Sequence, residues 1–316
     1  MTATLPRRTF QSEIRNPKSE IRNGPIGFIG AGKVGTALAS LLHARGVAVA
    51  GVSGRTLADG RRMALSAGLA ASTAMEWQTT VAESSVVFLT VPDDAIAPLC
   101  REIAEAGGWR AGQGVVHCSG ALPSAILQPA REAGAMIASF HPLQAFASLD
   151  AAMSHMLGST FALEGDAPLV DLLDGFVQAL GGTSLRVTER EKVLYHAAAV
   201  IASNYTVTLA ALASELLVGE GIAPDANTAL RYLMPLLKGT VDNLQALGLP
   251  DALTGPLVRG DVGTVARHLE GLDACAPELA HLYRHLARLT LPLAEQKGHL
   301  DTTTLEALAK SLETEC

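Results

Sequence analysis

The segment PIGFIGAGKVGTALASLLHARG, residues 25–46, constrains the fold more than any other part of the chain. PIGFIG is typical of a short buried strand, and KVGTALASLLHARG of an amphipathic helix that ends at Gly46. GAGKVG fits G-x-G-x-x-G, whose glycines permit a tight turn, close approach of a pyrophosphate, and close helix–strand packing. The free N–H groups at the helix start attract the anion. The pattern predicts a dinucleotide site at Gly30, Ala31, Gly32, Lys33, Val34 and Gly35.

Short apolar segments alternate with helical ones as far as Val187. The clearest are VVFLTVP (residues 86–92), GVVHCSG (114–120) and AMIASF (135–140). Continuous apolar strands that alternate with helices are typical of a parallel sheet covered on both faces. We therefore predict an α/β fold, a doubly wound and mainly parallel Rossmann sheet, over residues 24–187.

The chain beyond Thr188 has only helical patterns, which predicts an all-α domain over residues 188–316. Its longest helix, Glu189–Val218, is apolar nearly all round. Such a helix is expected to be buried on several sides, inside the domain or against a second subunit. A homodimer through the C-terminal helices follows as an expectation. Residues 1–23, which contain SEIRN twice, are predicted to be a disordered extension without a part in the chemistry.

Composition and charge exclude several kinds of function. The formal net charge of −7 over 316 residues argues against a nucleic-acid surface. No apolar run reaches the roughly 20 residues that a membrane span needs, so no membrane contact is expected. The four cysteines show neither metal-ligand nor disulfide-framework spacing, which predicts a cytoplasmic protein without a metal.

The end of the second strand bears on which dinucleotide binds. An NAD site needs an Asp or Glu there for the ribose hydroxyls. Here the strand ends GVSGRT, with Ser53 and Arg55 and no carboxylate. A hydroxyl and a guanidinium can bind a 2′-phosphate, which a carboxylate would repel, so NADP is the predicted cofactor. Val91 and Pro92 are predicted to contact its adenosine half, and Asp93 to cap the next helix.

Several longer motifs resemble those of one family. IGFIGAGKVGTAL, SGRT, VFLTVPDDAI, VVHCSGAL and SFHPLQAF occur in the order seen in a widespread group of oxidoreductases that are known mainly from sequence. Its members join a Rossmann-like NADP-binding domain to a helical domain of unknown function, which YHAAAVIASNY and LTGPLVRGDVGTVARHL resemble. The layout is more distantly similar to 6-phosphogluconate and 3-hydroxyacid dehydrogenases and to pyrroline-5-carboxylate reductase. The resemblance implies NADP binding and hydride transfer, and it implies no particular substrate.

The helix after Thr188 carries the first candidates for the proton donor that hydride transfer needs. Lys192 and His196 fall on one stripe of this helix, and Asn204 lies about 80° round from His196. The distant hydroxyacid dehydrogenases carry a Lys and an Asn four residues apart on the equivalent helix, whereas here Lys192 is followed at that spacing by His196. His196 is the favoured donor, because the pKa of an imidazole lies near neutrality. The alternative is a histidine of the helical core that is held by hydrogen bonds.

Two loops that follow buried strands are predicted to face the ligand side of the sheet. Ser119 and Gly120 follow one strand, and their small size would let a nicotinamide ring come close. His141 follows another, and Pro142 disfavours helix there, so the imidazole should be held in one direction. His141 is predicted to line the site or contact the substrate. Which of His141 and His196 gives the proton stays open.

Arg259 lies after a Gly-Pro turn between apolar helices and is a candidate ligand for a substrate carboxylate. A plain helix connection is the alternative, and Asp261 is predicted to cap the helix that follows. These features predict an NADP(H)-dependent oxidoreductase for a small, carboxylate-bearing hydroxyacid or ketoacid. The alternatives are an imine reductase of the pyrroline-5-carboxylate reductase type and a non-catalytic NADP-binding sensor or scaffold.

Overall fold

The computed structural model describes residues 24–313, which form two compact units. The first unit ends at Ser203 and the second begins at Asn204. The extension predicted for residues 1–23 lies outside the described residues.

A seven-stranded sheet forms the centre of the first unit, in the order β2-β1-β3-β4-β5-β6-β7. Neighbouring strands are parallel except β5 and β6, which are antiparallel. The mainly parallel sheet predicted from the sequence is therefore confirmed. The chain order reverses between β1 and β3, and crevices at such a point bind ligands in doubly wound folds. The strands are β1 (Ile26–Ile29), β2 (Val49–Ser53), β3 (Val86–Leu89), β4 (Gly114–His117), β5 (Met136–Pro142), β6 (Thr160–Gly165) and β7 (Thr183–Arg186).

Helices connect the strands and make up the second unit. Those of the first unit are α1 (Lys33–His43), α2 (Leu57–Ser66), α3 (Trp77–Glu83), α4 (Asp93–Glu105), α5 (Gln128–Glu132), α6 (Leu149–His155), α7 (Ala167–Ala179) and α8 (Glu189–Ala202). Those of the second are α9 (Asn204–Gly219), α10 (Ala226–Leu247), α11 (Val262–Cys275), α12 (Pro277–Gln296) and α13 (Thr302–Ser311).

Both faces of the sheet are buried over strands β1 to β6, whereas the edge strand β7 is mostly exposed. On one face, Phe28 stacks on Phe88 with ring centroids 5.1 Å apart, and Phe140 meets Phe161 at 4.8 Å. The other face packs a separate apolar cluster that includes Leu89 and Ile137. Because successive side chains of a strand point to opposite faces, burial on both sides requires an unbroken apolar run. This is why the strands could be located from the sequence.

Strand β5 is longer than the apolar run that predicts it. The run ends at Phe140, whereas the strand continues to Pro142, because β6 pairs with it antiparallel and places His141 opposite Ala162. Pairing with β4 ends earlier, where His117 lies opposite Ser139. His141 therefore extends beyond the end of β4 as part of a strand, and not in a loop as the sequence suggested.

The division between the two units differs from the predicted boundary near Thr188. Helix α8 belongs to the unit of the sheet, and the helix expected to run from Glu189 to Val218 is interrupted at Ser203. The physical reason is that α8 sends side chains to the sheet: Lys192 donates a hydrogen bond to Ser139, and Tyr195 shares one with His141.

The apolar surface of α8 and α9 is largely exposed. Lys192 is the only buried residue of α8 and Ser214 the only one of α9, while Leu194 is 74% exposed and Val207 70%. The expectation that this segment is buried inside its own domain is therefore wrong. Burial against a second subunit, the alternative considered for it, stays a prediction.

The segment Glu189–Gly219 is long and apolar enough to cross a membrane when judged by length and composition alone. On this criterion, the expectation that no segment reaches that length is wrong. One such helix is weak evidence for a membrane protein, because helices that form subunit contacts have the same composition. The hydrogen bonds from α8 to the sheet also tie part of the segment to the first unit.

Candidate active site

The glycine-rich loop after β1 packs tightly on the end of β3. Gly30 has a φ of +121°, and a Cβ there would lie 2.5 Å from the carbonyl of Thr90. A Cβ on Gly35 would lie 2.2 Å from the Thr90 hydroxyl, which donates a 2.8 Å hydrogen bond to the Gly30 carbonyl. A side chain at either position would therefore push the loop off the sheet. This geometry matches the roles that the motif assigns to its first and third glycines.

Gly32 and the start of α1 have the features of an anion site. A Cβ on Gly32 would meet only the Thr90 carbonyl, at an ordinary 3.7 Å, so the space beside this glycine is open. Gly32 is the N-cap of α1, and no side chain caps the helix. The first N–H groups of α1 are thus available, together with the positive end of its dipole. The residues present fit the pyrophosphate of a dinucleotide.

Lys33 connects this loop to the segment that follows β5. Its ammonium donates hydrogen bonds to the carbonyls of Ala147 at 2.8 Å and Phe146 at 3.3 Å. The sequence placed Lys33 among the phosphate ligands and did not indicate this second role. The contact ties the glycine-rich loop to the segment that continues from His141 and Pro142.

The two predicted phosphate ligands, Ser53 at the end of β2 and Arg55 in the loop that follows, differ in their exposure. Ser53 is buried, and its hydroxyl donates to the Met75 carbonyl at 2.9 Å and lies 2.6 Å from the Thr80 hydroxyl. That hydroxyl is committed inside the unit, so the structure does not support Ser53 as a direct phosphate ligand. Arg55 is exposed and makes no ion pair within residues 24–313. Arg62 is paired with Asp59 at 2.8 Å.

Val91 and Pro92 lie where β3 leads into α4, as predicted, with Pro92 as the N-cap. Asp93 is the first residue of α4 and does not cap it, which corrects the role predicted for it. Its carboxylate accepts a 2.7 Å hydrogen bond from the Ser119 hydroxyl. Asp93 therefore joins the start of α4 to the loop after β4.

Ser119 shapes the loop after β4. Its hydroxyl accepts hydrogen bonds from the N–H groups of Ala121 and Leu122 while it donates to Asp93. Its own N–H donates to Nδ1 of His117 at 3.1 Å. Ser119 is buried, so its side chain fixes the path of the loop and presents Gly120 to the site.

His117 is a structural histidine. Because Nδ1 accepts the Ser119 N–H, the ring proton lies on Nε2, which donates to the Pro123 carbonyl at 3.2 Å. Burial, and then the charge of Lys192, lowers the pKa of His117 to about 4, so the ring is neutral at pH 7.

His141, Tyr195 and His196 meet beside Gly120. Nδ1 of His141 and the Tyr195 hydroxyl are 2.8 Å apart, with the two rings edge to face. The His196 ring centroid lies 6.1 Å from that of His141. A Cβ on Gly120 would lie 2.7 Å from both Nε2 of His141 and Cδ2 of His196. Only glycine at this position lets both imidazoles approach the end of β4.

The pKa of His141 is lowered to about 4 by burial, with smaller contributions from the charges of Lys192 and His196. His141 is therefore neutral at pH 7, with one N–H and one free lone pair. Within residues 24–313, Nε2 of His141 has no hydrogen-bond partner, and neither does the ring of His196. The cluster can therefore offer Nε2 of His141 and the imidazole of His196 to a bound molecule, while Nδ1 of His141 and the Tyr195 hydroxyl are bonded to each other.

Lys192 lies entirely out of solvent, although the sequence counted it among the catalytic candidates. Its ammonium donates to the Ser139 hydroxyl, which itself donates to the Ser119 carbonyl at 3.3 Å. Burial lowers the pKa of Lys192 to about 8, against the attraction of Glu164, Cys118 and Asp93. A carbonyl cannot pass a proton on, so this chain of bonds holds the loop after β4 in place and does not lead protons to a ligand.

The other predicted residues belong to the second unit. Asn204 opens α9 and is exposed, and Arg259 is exposed between Gly255 and Gly260. Asp261 caps α11 by accepting the Thr264 N–H at 2.9 Å, as predicted. No group of three or more metal-ligand side chains occurs in the described part of the chain.

Sequence reasoning missed Tyr195 and Ser139, although a signal for each was present. Tyr195 lies three residues after Lys192, and residues at that spacing share a face of a helix. Ser139 lies two residues before His141, and alternation along a strand puts both on the same face. Neither spacing indicates which helix meets which strand, and that pairing makes the site.

Two family models match the chain, each over a different part of it. Residues 9–142 match a Rossmann-like domain, and residues 159–290 match DUF2520, a domain of unknown function. The chain therefore has a Rossmann-like match followed by a DUF2520 match. The resemblance stated from the sequence is thereby confirmed. The DUF2520 match begins before β6 and so contains β6, β7 and α8 as well as helices of the second unit.

Several solved structures share this architecture over most of the chain. Protein BF3122 from Bacteroides fragilis, assigned as an NADP oxidoreductase, is 26% identical with a TM-score of 0.63 and covers 86% of this chain and 100% of its own. Protein TM1727 from Thermotoga maritima is 27% identical with a TM-score of 0.65, over 86% and 99%. A pyrroline-5-carboxylate reductase from Coxiella burnetii shares the fold at 16% identity, a TM-score of 0.56, and 87% and 98% coverage. No curated protein matches the chain.

Proposed function

We propose that the protein is an NADP(H)-dependent oxidoreductase that acts by hydride transfer on a small, carboxylate-bearing metabolite. The observation that carries the proposal is the cluster of His141, Tyr195 and His196 beside Gly120, in the unit that also contains the glycine-rich loop. Proton-donating groups at the carboxyl ends of strands, where doubly wound sheets bind ligands, fit the reduction of a polar double bond.

The cofactor half of the proposal rests on groups that are available for binding. The open space at Gly32 and the uncapped start of α1 suit a pyrophosphate. The guanidinium of Arg55, which has no ion pair within residues 24–313, suits a 2′-phosphate. Bound NADPH would supply the hydride. An NADP oxidoreductase assignment has also been made for a protein of the same architecture.

The substrate half rests on the protein's own side chains. His141 or His196 would hydrogen-bond the atom of the substrate that gains negative charge and supply its proton. Arg259, in the second unit, makes no ion pair within residues 24–313 and stays the candidate that the sequence offers for binding a carboxylate. A C=N group is the alternative to C=O, because the same donors could protonate the nitrogen of an imine.

Two measurements test the proposal. Calorimetry should show NADPH binding that is tighter than NADH binding, and tighter NADH binding would remove the argument from Arg55. A screen of 2-oxo acids, hydroxyacids and cyclic imines should reveal NADPH oxidation or NADP⁺ reduction that His141→Gln or His196→Gln lowers at least tenfold. NADPH binding without turnover of any compound would favour the sensor over the enzyme. Full rates in both variants would move the chemistry away from this cluster.

We further propose that a second copy of the chain covers the apolar faces of α9 and α10. Exposed apolar side chains on these helices include Val207, Tyr232, Leu236, Val241 and Leu247. Many exposed apolar side chains on two helices that pack against each other are typical of an interaction site. A second copy is the proposed partner because closed two-fold dimers are the commonest assemblies of one chain type.

A further inference from the structure

We propose that Tyr195 and His141 form a proton relay in which Tyr195 holds His141 as the neutral Nε2–H tautomer, with that N–H available to the substrate. The inference rests on the proposed function and deepens it: His141 touches the substrate, and Tyr195 is a positioning residue that acts through His141. It assigns the proton donor that the sequence left open between His141 and His196.

The direction of the hydrogen bond follows from the chemistry of its two partners. The phenol of Tyr195 is a weak acid, and the lone pair on Nδ1 of a neutral imidazole is a better acceptor than a phenol oxygen. Tyr195 therefore donates to Nδ1 across the 2.8 Å contact. A neutral imidazole carries a single ring proton, so that proton must lie on Nε2.

The surroundings keep His141 neutral. Lys192 and His196 both face the imidazole and oppose a second proton on it, while the nearby carboxylate of Asp93 is engaged by Ser119. The neighbouring His117 is itself neutral and donates elsewhere, to Pro123. No carboxylate binds His141 within residues 24–313, so nothing there stabilises an imidazolium.

The free end of the relay points to the site. Nε2 of His141 borders the position where Gly120 lacks a Cβ, at the carboxyl end of β4. This nitrogen has no hydrogen-bond partner within residues 24–313. It is also not fully shielded from solvent, so a bound molecule can reach it. A donor held in one direction, neutral and unengaged, is suited to polarise a carbonyl or to protonate the oxygen that forms from it.

The proton steps balance in the reducing direction. As the carbonyl carbon accepts the hydride, its oxygen takes the proton from Nε2 of His141. Nδ1 then takes the proton of the Tyr195 hydroxyl, and the phenolate takes one from water. Tyr195 is half-buried, so its oxygen can exchange with solvent. The protein then holds as many protons as at the start, but the ring proton lies on Nδ1. Before the next turnover, Nε2 takes a proton from water and Nδ1 returns one to the solvent through the Tyr195 oxygen, which restores the Nε2–H tautomer. An alcohol is oxidised by the reverse sequence, starting from the Nδ1–H tautomer.

Nitrogen-15 NMR of the full-length protein, labelled at histidine, tests the tautomer without any substrate. His141→Gln identifies the His141 signals by their loss. We expect one protonated and one lone-pair nitrogen at pH 7, with the proton on Nε2, and a mixture of tautomers in Tyr195→Phe. A proton on Nδ1, an imidazolium, or an unchanged tautomer in Tyr195→Phe would overturn the relay.

The second unit offers a matched control. Nδ1 of His268 and the Tyr283 hydroxyl are 3.0 Å apart, with the rings edge to face as in the relay. Tyr283→Phe removes the same kind of hydrogen bond from an exposed histidine, so it should leave the His141 signals unchanged. A change of the His141 signals in Tyr283→Phe would show that loss of any buried phenol disturbs the site, and would overturn the specific assignment to Tyr195.

Kinetics test the consequence, with the compound that the screen identifies as substrate. Tyr195→Phe should lower kcat at least tenfold with KM within about twofold, because proton supply is lost and binding is kept. A kcat within twofold of wild type would overturn the relay. Failure of the proposed function is distinguishable: absence of NADPH binding would refute it whatever tautomer His141 shows.

Discussion

Within residues 24–203, Lys192 is the one Lys, Arg, Asp or Glu side chain with no solvent exposure, and its ionisation ties stability to pH. Burial brings its pKa down to about 8, whereas an unfolded chain keeps this lysine protonated to about pH 10.4. Between those values the unfolded chain binds more protons than the folded one, so the contribution of Lys192 to stability rises with pH. Below pH 8 the folded protein bears the full cost of the buried charge.

Between pH 7.5 and pH 9.5, the free energy of unfolding of the wild type should rise by about 2 kcal/mol more than that of Lys192→Met. Urea denaturation at the two pH values measures both free energies. The contributions of titratable groups that are present in both proteins cancel when the two changes are subtracted. Lys238→Met is the control, because Lys238 is exposed and its one ion pair in the described part of the chain is with Asp242. Equal responses of wild type and Lys192→Met to pH would show that Lys192 titrates normally.

Residue roles could be predicted from the sequence where the local chain determines them. Gly30 and Gly35 are examples, since the motif itself brings them against the strand end, and Asp261 caps the helix that begins beside it. The roles of Ser53 and Tyr195 depend on segments distant in sequence, at Thr80 and His141 respectively. Pattern and spacing carry no information on such encounters, which tertiary packing alone creates.

At the scale of elements, the proposed preference for a phosphorylated cofactor depends on the loop between β2 and α2. Arg55 extends from this loop without an ion pair within residues 24–313, whereas Arg62, on α2, is paired with Asp59. A hydrogen bond to a charged group contributes roughly 1.5–3 kcal/mol, which corresponds to about a ten- to hundredfold change in affinity.

Arg55→Ala should therefore weaken NADPH binding at least tenfold and leave NADH binding within about twofold. Isothermal calorimetry with both cofactors measures the two affinities. Arg62→Ala removes an equal charge from the same region and should affect both cofactors little, because its guanidinium is already paired. If both variants weaken NADPH binding equally, Arg55 acts only through long-range electrostatic attraction and does not contact the 2′-phosphate.

The elements themselves differ in how far the sequence determines them. The parallel strands were visible because burial on both faces leaves an apolar run, and the first helix because its motif and Gly46 mark its ends. The extension of β5 through Pro142 was not visible, because it depends on the antiparallel partner β6. The break at Ser203 was not visible either, since the residues around it have the same helical pattern on both sides.

At the scale of the whole molecule, the exposed apolar side chains of α9 and α10 are the feature that bears on assembly. Each large apolar side chain that becomes buried gains roughly 1.5–3 kcal/mol, so a face with several of them can drive association. The sequence indicated an unusual helix, but only the structure shows that its apolar side chains stay outside the single chain.

We expect the purified protein to be a dimer by light scattering, and Leu236→Glu to shift it to the monomer. Leu236 is 69% exposed on α10, and a carboxylate buried in an interface there would be desolvated without a partner. Leu65→Glu is the matched control, since Leu65 is 64% exposed on α2 and outside the second unit. If the wild type is monomeric, or stays in solution only with detergent or lipid, a second copy of the chain does not bury the apolar faces of α9 and α10. If the Leu236→Glu variant remains dimeric, the dimer interface lies on another face of the protein.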